Sequence, residues 1–274
     1  MNGTKSTPLK TTDNLKWQVE MGADEAMADA PVNRLKTPAP KAEPALPVTK
    51  AAEVKLAPAV HAPTTSLVGK ARDLAQKAQT LEELKTAVES FDGLAICKTA
   101  NKTVFAEGNP KAKVMLIGEA PGANEDLEGV PFCGASGKLL DNMLATIGLS
   151  RKENAYITNT IFWRPPGNRR PTPEELEICR PFVERHIALL DPALLVMVGG
   201  TAAAALVDDQ TNVSRLRGKE LELQLASTKQ AYPVIVTFHP SYLLRSPQQK
   251  RLAWQDMLFI QQCMEKRGLA PKGL

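Results

Sequence analysis

A chain of 274 residues with 34 Lys and Arg against 30 Asp and Glu has a formal charge of +4, which permits a polyanionic partner without demanding one. Its apolar runs fall far short of the ~18 to 20 residues of a membrane span, its four scattered cysteines form no dense disulfide framework, and three histidines are too few for a cage of several imidazoles. Because the start lacks a charged region followed by an apolar one, a reduced, cytoplasmic protein without a membrane segment is expected.

In chain order, Thr11 to Ala28 carries Leu15, Trp17, Val19 and Met21 in alternation with polar residues. The same residues also form i,i+4 pairs, so strand and helix both remain open. Residues 1–30 are read as a short docking segment, suited to recruiting a protein partner from a tether. Residues 31–66 hold seven prolines and eight alanines with no Phe, Tyr or Trp. Such a stretch cannot bury enough apolar surface to offset its ordering entropy, and it reads as a disordered linker. Residues 67–274 suffice for one sizeable core, and no internal repeat is visible.

Thr64 to Glu89 patterns as two short helices, the second opening at Thr80 with Glu82 and Glu83 in its first turn. Four apolar runs of buried-strand type follow: Lys113–Glu119, Ala155–Asn159, Leu194–Val198 and Val234–Phe238. Helical stretches separate them at Gly137–Thr146, Pro173–Leu190 and Thr201–Leu206, and Lys250–Lys266 closes the series. This alternation predicts an α/β fold: a three-layer α/β/α sandwich around a mainly parallel, four-stranded central sheet. Each strand runs into a loop rich in functional residue types: GEAPG, TNTIFWRPP, GGTAAAAL and HPSYLLR. Ligands of open α/β sheets bind beyond the carboxyl ends of the strands, so these loops mark the expected site.

GEAPG at Gly118–Gly122, Glu125-Asp126, Pro131-Phe132, RPPGNRRPTPEE followed by CRPF, and HPSYLLR from His239 to Arg245 together resemble the type-4 uracil-DNA glycosylases, within the wider uracil-DNA glycosylase superfamily. The resemblance spans about Asp92 to Arg267. It implies hydrolysis of the N-glycosidic bond of deoxyuridine in DNA, by an enzyme that flips the nucleotide out of the stack and reads the base by edge and face. Uracil would be held by Gly118, Phe132, Asn159 and His239. In that set Phe132 supplies the stacking face, and the Asn159 amide matches O4 and N3–H. His239 would donate to O2 and stabilise the departing anion. Glu119 and Glu125 are the candidate carboxylates, Glu119 for positioning in the first loop and Glu125 for water and sugar charge, with the division between them open. Leu243 and Leu244 are candidates for an apolar wedge in the minor groove. Ser241, Arg245, Arg164, Lys138, Arg169 and Arg170 are candidates for phosphate contacts. His186, mid-helix, reads as structural. A monomer is expected. Two other readings stand beside this one: a catalytically silent DNA or abasic-site binding module, and a glycosylase of altered base preference such as hypoxanthine.

Family members commonly carry four cysteine ligands for an iron–sulfur cluster. Here the first pair reads Cys97-Lys98-Thr99-Ala100, and Trp163 stands where the third cysteine is expected. Cys97 and Cys179 are the remnants, and two thiolates cannot hold a four-ligand cluster. No cofactor is therefore expected, and an aromatic side chain should fill the vacated volume. The insertion KRRIH of covalently trapping relatives is missing after Gly137.

Overall fold

The computed structural model describes residues 64–207, 212–226, 228 and 230–269. The docking segment and nearly all of the linker lie outside the described residues. The first helix, α1 (Thr64–Lys77), opens three residues before the expected linker boundary, and its Thr64 hydroxyl donates to Glu174 at 2.6 Å. The second, α2 (Leu81–Glu89), is capped by Thr80, whose hydroxyl accepts the Glu83 N–H at 3.1 Å. That bond satisfies one of the free donors every helix start exposes.

The sheet has six strands, two more than the sequence pattern indicates: β1 (Ala106–Gly108), β2 (Val114–Gly118), β3 (Ala155–Asn159), β4 (Leu194–Val198), β5 (Glu220–Gln224) and β6 (Ala231–Thr237), in spatial order β1-β3-β2-β4-β6-β5. The four expected strands form the parallel centre, and β1 and β5 add antiparallel edges. Strands β2, β3 and β4 are buried at every position, as helices on both faces require. Alternate residues divide between the layers. Met115, Ile117, Leu195, Met197, Val234 and Val236 join the core with α1, α2 and α6 (Pro173–Leu190). Val114, Leu116, Ile157, Leu194, Val196 and Ile235 pack with α5 (Ala135–Ala145) and α10 (Lys250–Lys266). Among the described residues, no helix is long and apolar enough to cross a membrane.

Helix α6 begins with the reciprocal cap that its sequence encodes. Thr172 accepts from the Glu175 N–H at 3.1 Å, and Glu175 accepts from the Thr172 N–H at 2.8 Å. Further along α6, His186 is fully buried, 2.9 Å from the Tyr156 hydroxyl and stacked on Phe105 at 4.4 Å. Burial lowers its pKa to about 3. The unfolded chain therefore takes up a proton near pH 6.5 that the folded chain refuses, and stability held above that pH is lost as pH falls. Between pH 7 and pH 4.5 this one residue should remove about 3 kcal/mol of unfolding free energy. Denaturant titrations of wild type and His186→Gln at both pH values should show the loss largely abolished in the variant; equal losses would refute this assignment.

Candidate active site

The carboxyl ends of the parallel strands open onto a cleft of about 1430 Å³, with Glu119, Phe132, Asn159, Gly199, His239 and Arg245 in its walls. Its floor depends on Gly118, the last residue of β2. A Cβ there would fall 2.5 Å from both the Asn159 Oδ1 and the Phe132 ring. Glycine is what lets the amide and the ring close over the strand end. Asn159, at the end of β3, is only 1 % exposed, and its Oδ1 has no hydrogen-bond partner. A buried carbonyl oxygen left unpaired is costly, so this atom is set up to receive a donor from a ligand.

Phe132 lies 6 % exposed with its ring 5.4 Å from the His239 ring, at an interplanar angle of 31°. Its backbone φ of 53° belongs to the left-handed region that bulky residues rarely enter. Two glycine-led helix starts surround it, those of α4 (Ala123–Glu128) and α5, with Gly122 and Gly134 as their caps. Glu125 ties them together: its Oε2 accepts the Gly122 N–H, and its Oε1 accepts the N–H groups of Cys133 and Gly134, all at 3.1 Å. The Glu119 carboxylate lines the cleft and makes no hydrogen bond with another described residue, while its backbone carbonyl is held by the Thr160 hydroxyl at 2.6 Å.

His239 caps α9 (Pro240–Arg245). Its Nδ1 accepts the Ser241 N–H at 3.2 Å and lies 2.8 Å from the Ser241 hydroxyl. Since a backbone N–H can only donate, Nδ1 carries the lone pair and the proton sits on Nε2. Burial pulls the pKa of the ring below its usual value, against the partly opposing negative charge of Glu119. The imidazole is thus a neutral donor at physiological pH.

The expected DNA-contact residues divide. Leu243 is 1 % exposed and packs against Phe238 and Ala253, the surroundings of a core residue. Leu244, one position on, is 43 % exposed. Arg245 and Arg170 are exposed in the cleft wall. Arg169 also borders the cleft, but its guanidinium is bound bidentately to Glu175 at 2.7 and 2.8 Å. Arg164 is turned to Asn168 at 2.7 Å and lies 3.9 Å from Asp126, and neither it nor the exposed Lys138 lines the cleft. Ser241 lines it, with its hydroxyl engaged by His239. The sequence pattern overlooked Arg151, which donates to the backbone carbonyls of Pro131 and Phe132 at 3.0 Å. Only long-range contacts reveal it.

The positions that would hold an iron–sulfur cluster do not fit one. Trp163 is 3 % exposed, its indole N–H donates to the Thr103 hydroxyl at 3.1 Å, and its ring packs against Phe91 and Phe162. Ala100 packs against the same apolar core as Trp163, Cys97 and Cys179. Burial pushes the Cys97 thiol up to about 11 and raises Cys179 well above its usual range. Among the described residues, no group of three or more His, Cys, Asp or Glu could hold a metal ion.

A mainly parallel sheet with helices on both faces brings a neutral imidazole, a buried amide oxygen without a partner, an aromatic ring and a carboxylate to its carboxyl edge, the architecture of an α/β enzyme. The family model of the uracil DNA glycosylase superfamily matches residues 105–258. The chain is 40 % identical over 174 residues to a type-4 uracil-DNA glycosylase of Archaeoglobus fulgidus, covering 62 % of this chain and 86 % of that protein. It is 34 % identical over 193 residues to the type-4 enzyme of Thermotoga maritima, covering 69 % and 97 %. A type-5 uracil-DNA glycosylase of Thermus thermophilus matches at 37 % identity over 114 residues, 36 % of this chain and 52 % of that protein. The chain belongs to the uracil-DNA glycosylase superfamily.

Proposed function

We propose that this chain is a monofunctional glycosylase of base-excision repair that hydrolyses the N-glycosidic bond of deoxyuridine in DNA, releasing uracil and leaving an abasic site. The observation that carries the reading is the unpartnered Asn159 oxygen, buried beside the Phe132 ring in the cleft that also holds the neutral His239. Uracil offers N3–H to that oxygen and O4 to the amide N–H, whereas cytosine presents the opposite pattern. Phe132 stacks on the base, and closing the amide around it discriminates against bases that leave the site mispaired.

Cleavage breaks the C1′–N1 bond, with the electron pair leaving on uracil and positive charge developing on the sugar. The Nε2–H of the neutral His239 ring donates to O2 and stabilises the anion as it forms. Water then adds to C1′ through its oxygen, and the proton it gives up passes by way of the Glu119 carboxylate and solvent to the uracil anion, which leaves as neutral uracil. The hydrogen bonds favour a division of the carboxylates opposite to the sequence-based one. Glu125 has both oxygens committed to three backbone N–H groups and acts as the buckle of the loop. Glu119 is free to orient the water and to balance the sugar charge.

Leu244 is the wedge that fills the gap left by the flipped nucleotide, with Arg245 and Arg170 on phosphates. The chain works without an iron–sulfur cluster, its place taken by Trp163 and the surrounding rings. Residues 1–30 recruit a protein partner, and the enzyme acts as a monomer in the cytoplasm. The silent-binder and hypoxanthine readings gain no support: each glycosylase relative named above is a uracil-DNA glycosylase. A binder would also have no use for a neutral imidazole donor beside a free carboxylate. Incubated with single- and double-stranded oligonucleotides, the purified chain should produce alkali-labile sites at uracil and none at thymine. Intact strands after prolonged incubation would overturn the proposal.

A further inference from the structure

The loop that presents Phe132 is gripped from both sides by charged side chains. Glu125 takes the N–H groups that follow Phe132. On the other side the Arg151 guanidinium takes the carbonyls, Nη1 donating to Pro131 and Nη2 to Phe132, each at 3.0 Å. Arg151 itself sits in the turn between α5 and β3. It is anchored by Glu107 of the edge strand β1 at 2.5 Å and by Asp141 of α5 at 2.9 Å, with its side chain only 12 % exposed. A planar fork of five N–H donors can serve these four acceptors at once, which a lysine ammonium cannot.

The grip has a reason. At φ 53° the Phe132 backbone holds a conformation it would leave if released, and its carbonyl oxygen lies where any Cβ on Gly137 would have to sit. Resting on the reading of Phe132 as the stacking surface for uracil, we infer that Arg151 is a positioning residue for excision: by holding the two carbonyls of the Pro131-Phe132 step, it keeps the Phe132 ring beside Asn159 and His239. Arg151 touches neither base nor DNA backbone in this role and acts wholly through the ring it aims.

A double-mutant cycle on the full chain tests this, using steady-state excision of uracil from an oligonucleotide. Arg151→Ala should lower kcat at least tenfold and leave KM within threefold. Phe132→Ala should lower kcat by at least as much, and the double variant should be no slower than Phe132→Ala alone, because the aimed group is already gone. Glu107 and Asp141 are 41 % and 47 % exposed, so removing Arg151 strands no buried charge, and the melting temperature should stay within a few degrees. A parallel cycle with Arg151→Lys, which keeps the charge but loses the two-carbonyl grip, should show the same non-additivity with a smaller loss. Multiplying effects in both cycles, or an unchanged kcat in Arg151→Ala, would overturn the positioning role while leaving excision standing. An inactive wild type would overturn the excision reading and this role with it.

Discussion

His239→Ala is expected to lower the single-turnover rate of uracil excision by about 10² to 10³-fold, the loss typical of removing one preorganised donor from a developing anion. The place of the proton is set at Nδ1. The Ser241 N–H occupies it, so the proton has one place left, on Nε2, and burial keeps the ring from charging. The Nε2–H binds the anion formed at O2 better than the carbonyl of the ground state, so the loss should fall on kcat rather than KM. The wild-type rate should also hold steady between pH 8 and pH 7, since burial lowers the pKa from the ordinary value of 6.5 and the ring stays neutral there. Quenched single-turnover kinetics across pH 5 to 8 check both statements. A loss below threefold in the variant would remove His239 from the chemistry.

Asn159→Asp is expected to reduce uracil excision by about 10³-fold and to collapse the preference for uracil over cytosine. The replacement is nearly isosteric, so the packing of Phe132 against Gly118 should persist. What changes is the donor. A carboxylate offers no N–H to O4 and sets negative charge against it inside a closed pocket. Parallel assays with uracil- and cytosine-containing strands, with the melting temperature as a control, separate lost recognition from lost fold. Unaltered uracil kinetics in a folded variant would show that Asn159 does not read the base.

The parts of the fold that depend on neighbours in sequence were readable from it, and those that depend on distant contacts were not. Strands β2, β3 and β4 are buried on both faces and so appear as unbroken apolar runs, with bounds at or within a residue of the expected ones. The edge strand β5 reads ELELQ, mostly exposed, and β1 is three residues ending in a glycine; neither has an apolar run to betray it. The Thr80 cap was visible because it closes over three residues.

The candidate site follows the same rule. Gly118, Asn159 and His239 stand at strand ends, and their placement follows once the strands are known. Leu243 and Leu244 look equivalent in the motif, although on a helix adjacent residues point about 100° apart and only Leu244 is exposed. The partner of Leu243 on the buried face is Pro240, three residues earlier, and that spacing was the available signal. For Glu125, three backbone donors from two loops decide its work, and for Arg151 four acceptors from three segments do. No local pattern announces either. Trp163 before the RPP segment was readable as an aromatic, but the rings it packs against, Phe91 and Phe162, emerge only in three dimensions.

The decisive measurement is release of free uracil from a uracil-containing oligonucleotide by the purified full chain, with iron counted on the same sample. Release of one uracil per site, an alkali-labile strand at that position and iron far below one atom per chain is the expected result. No uracil released, or release only from chains that carry a full complement of iron, would contradict it.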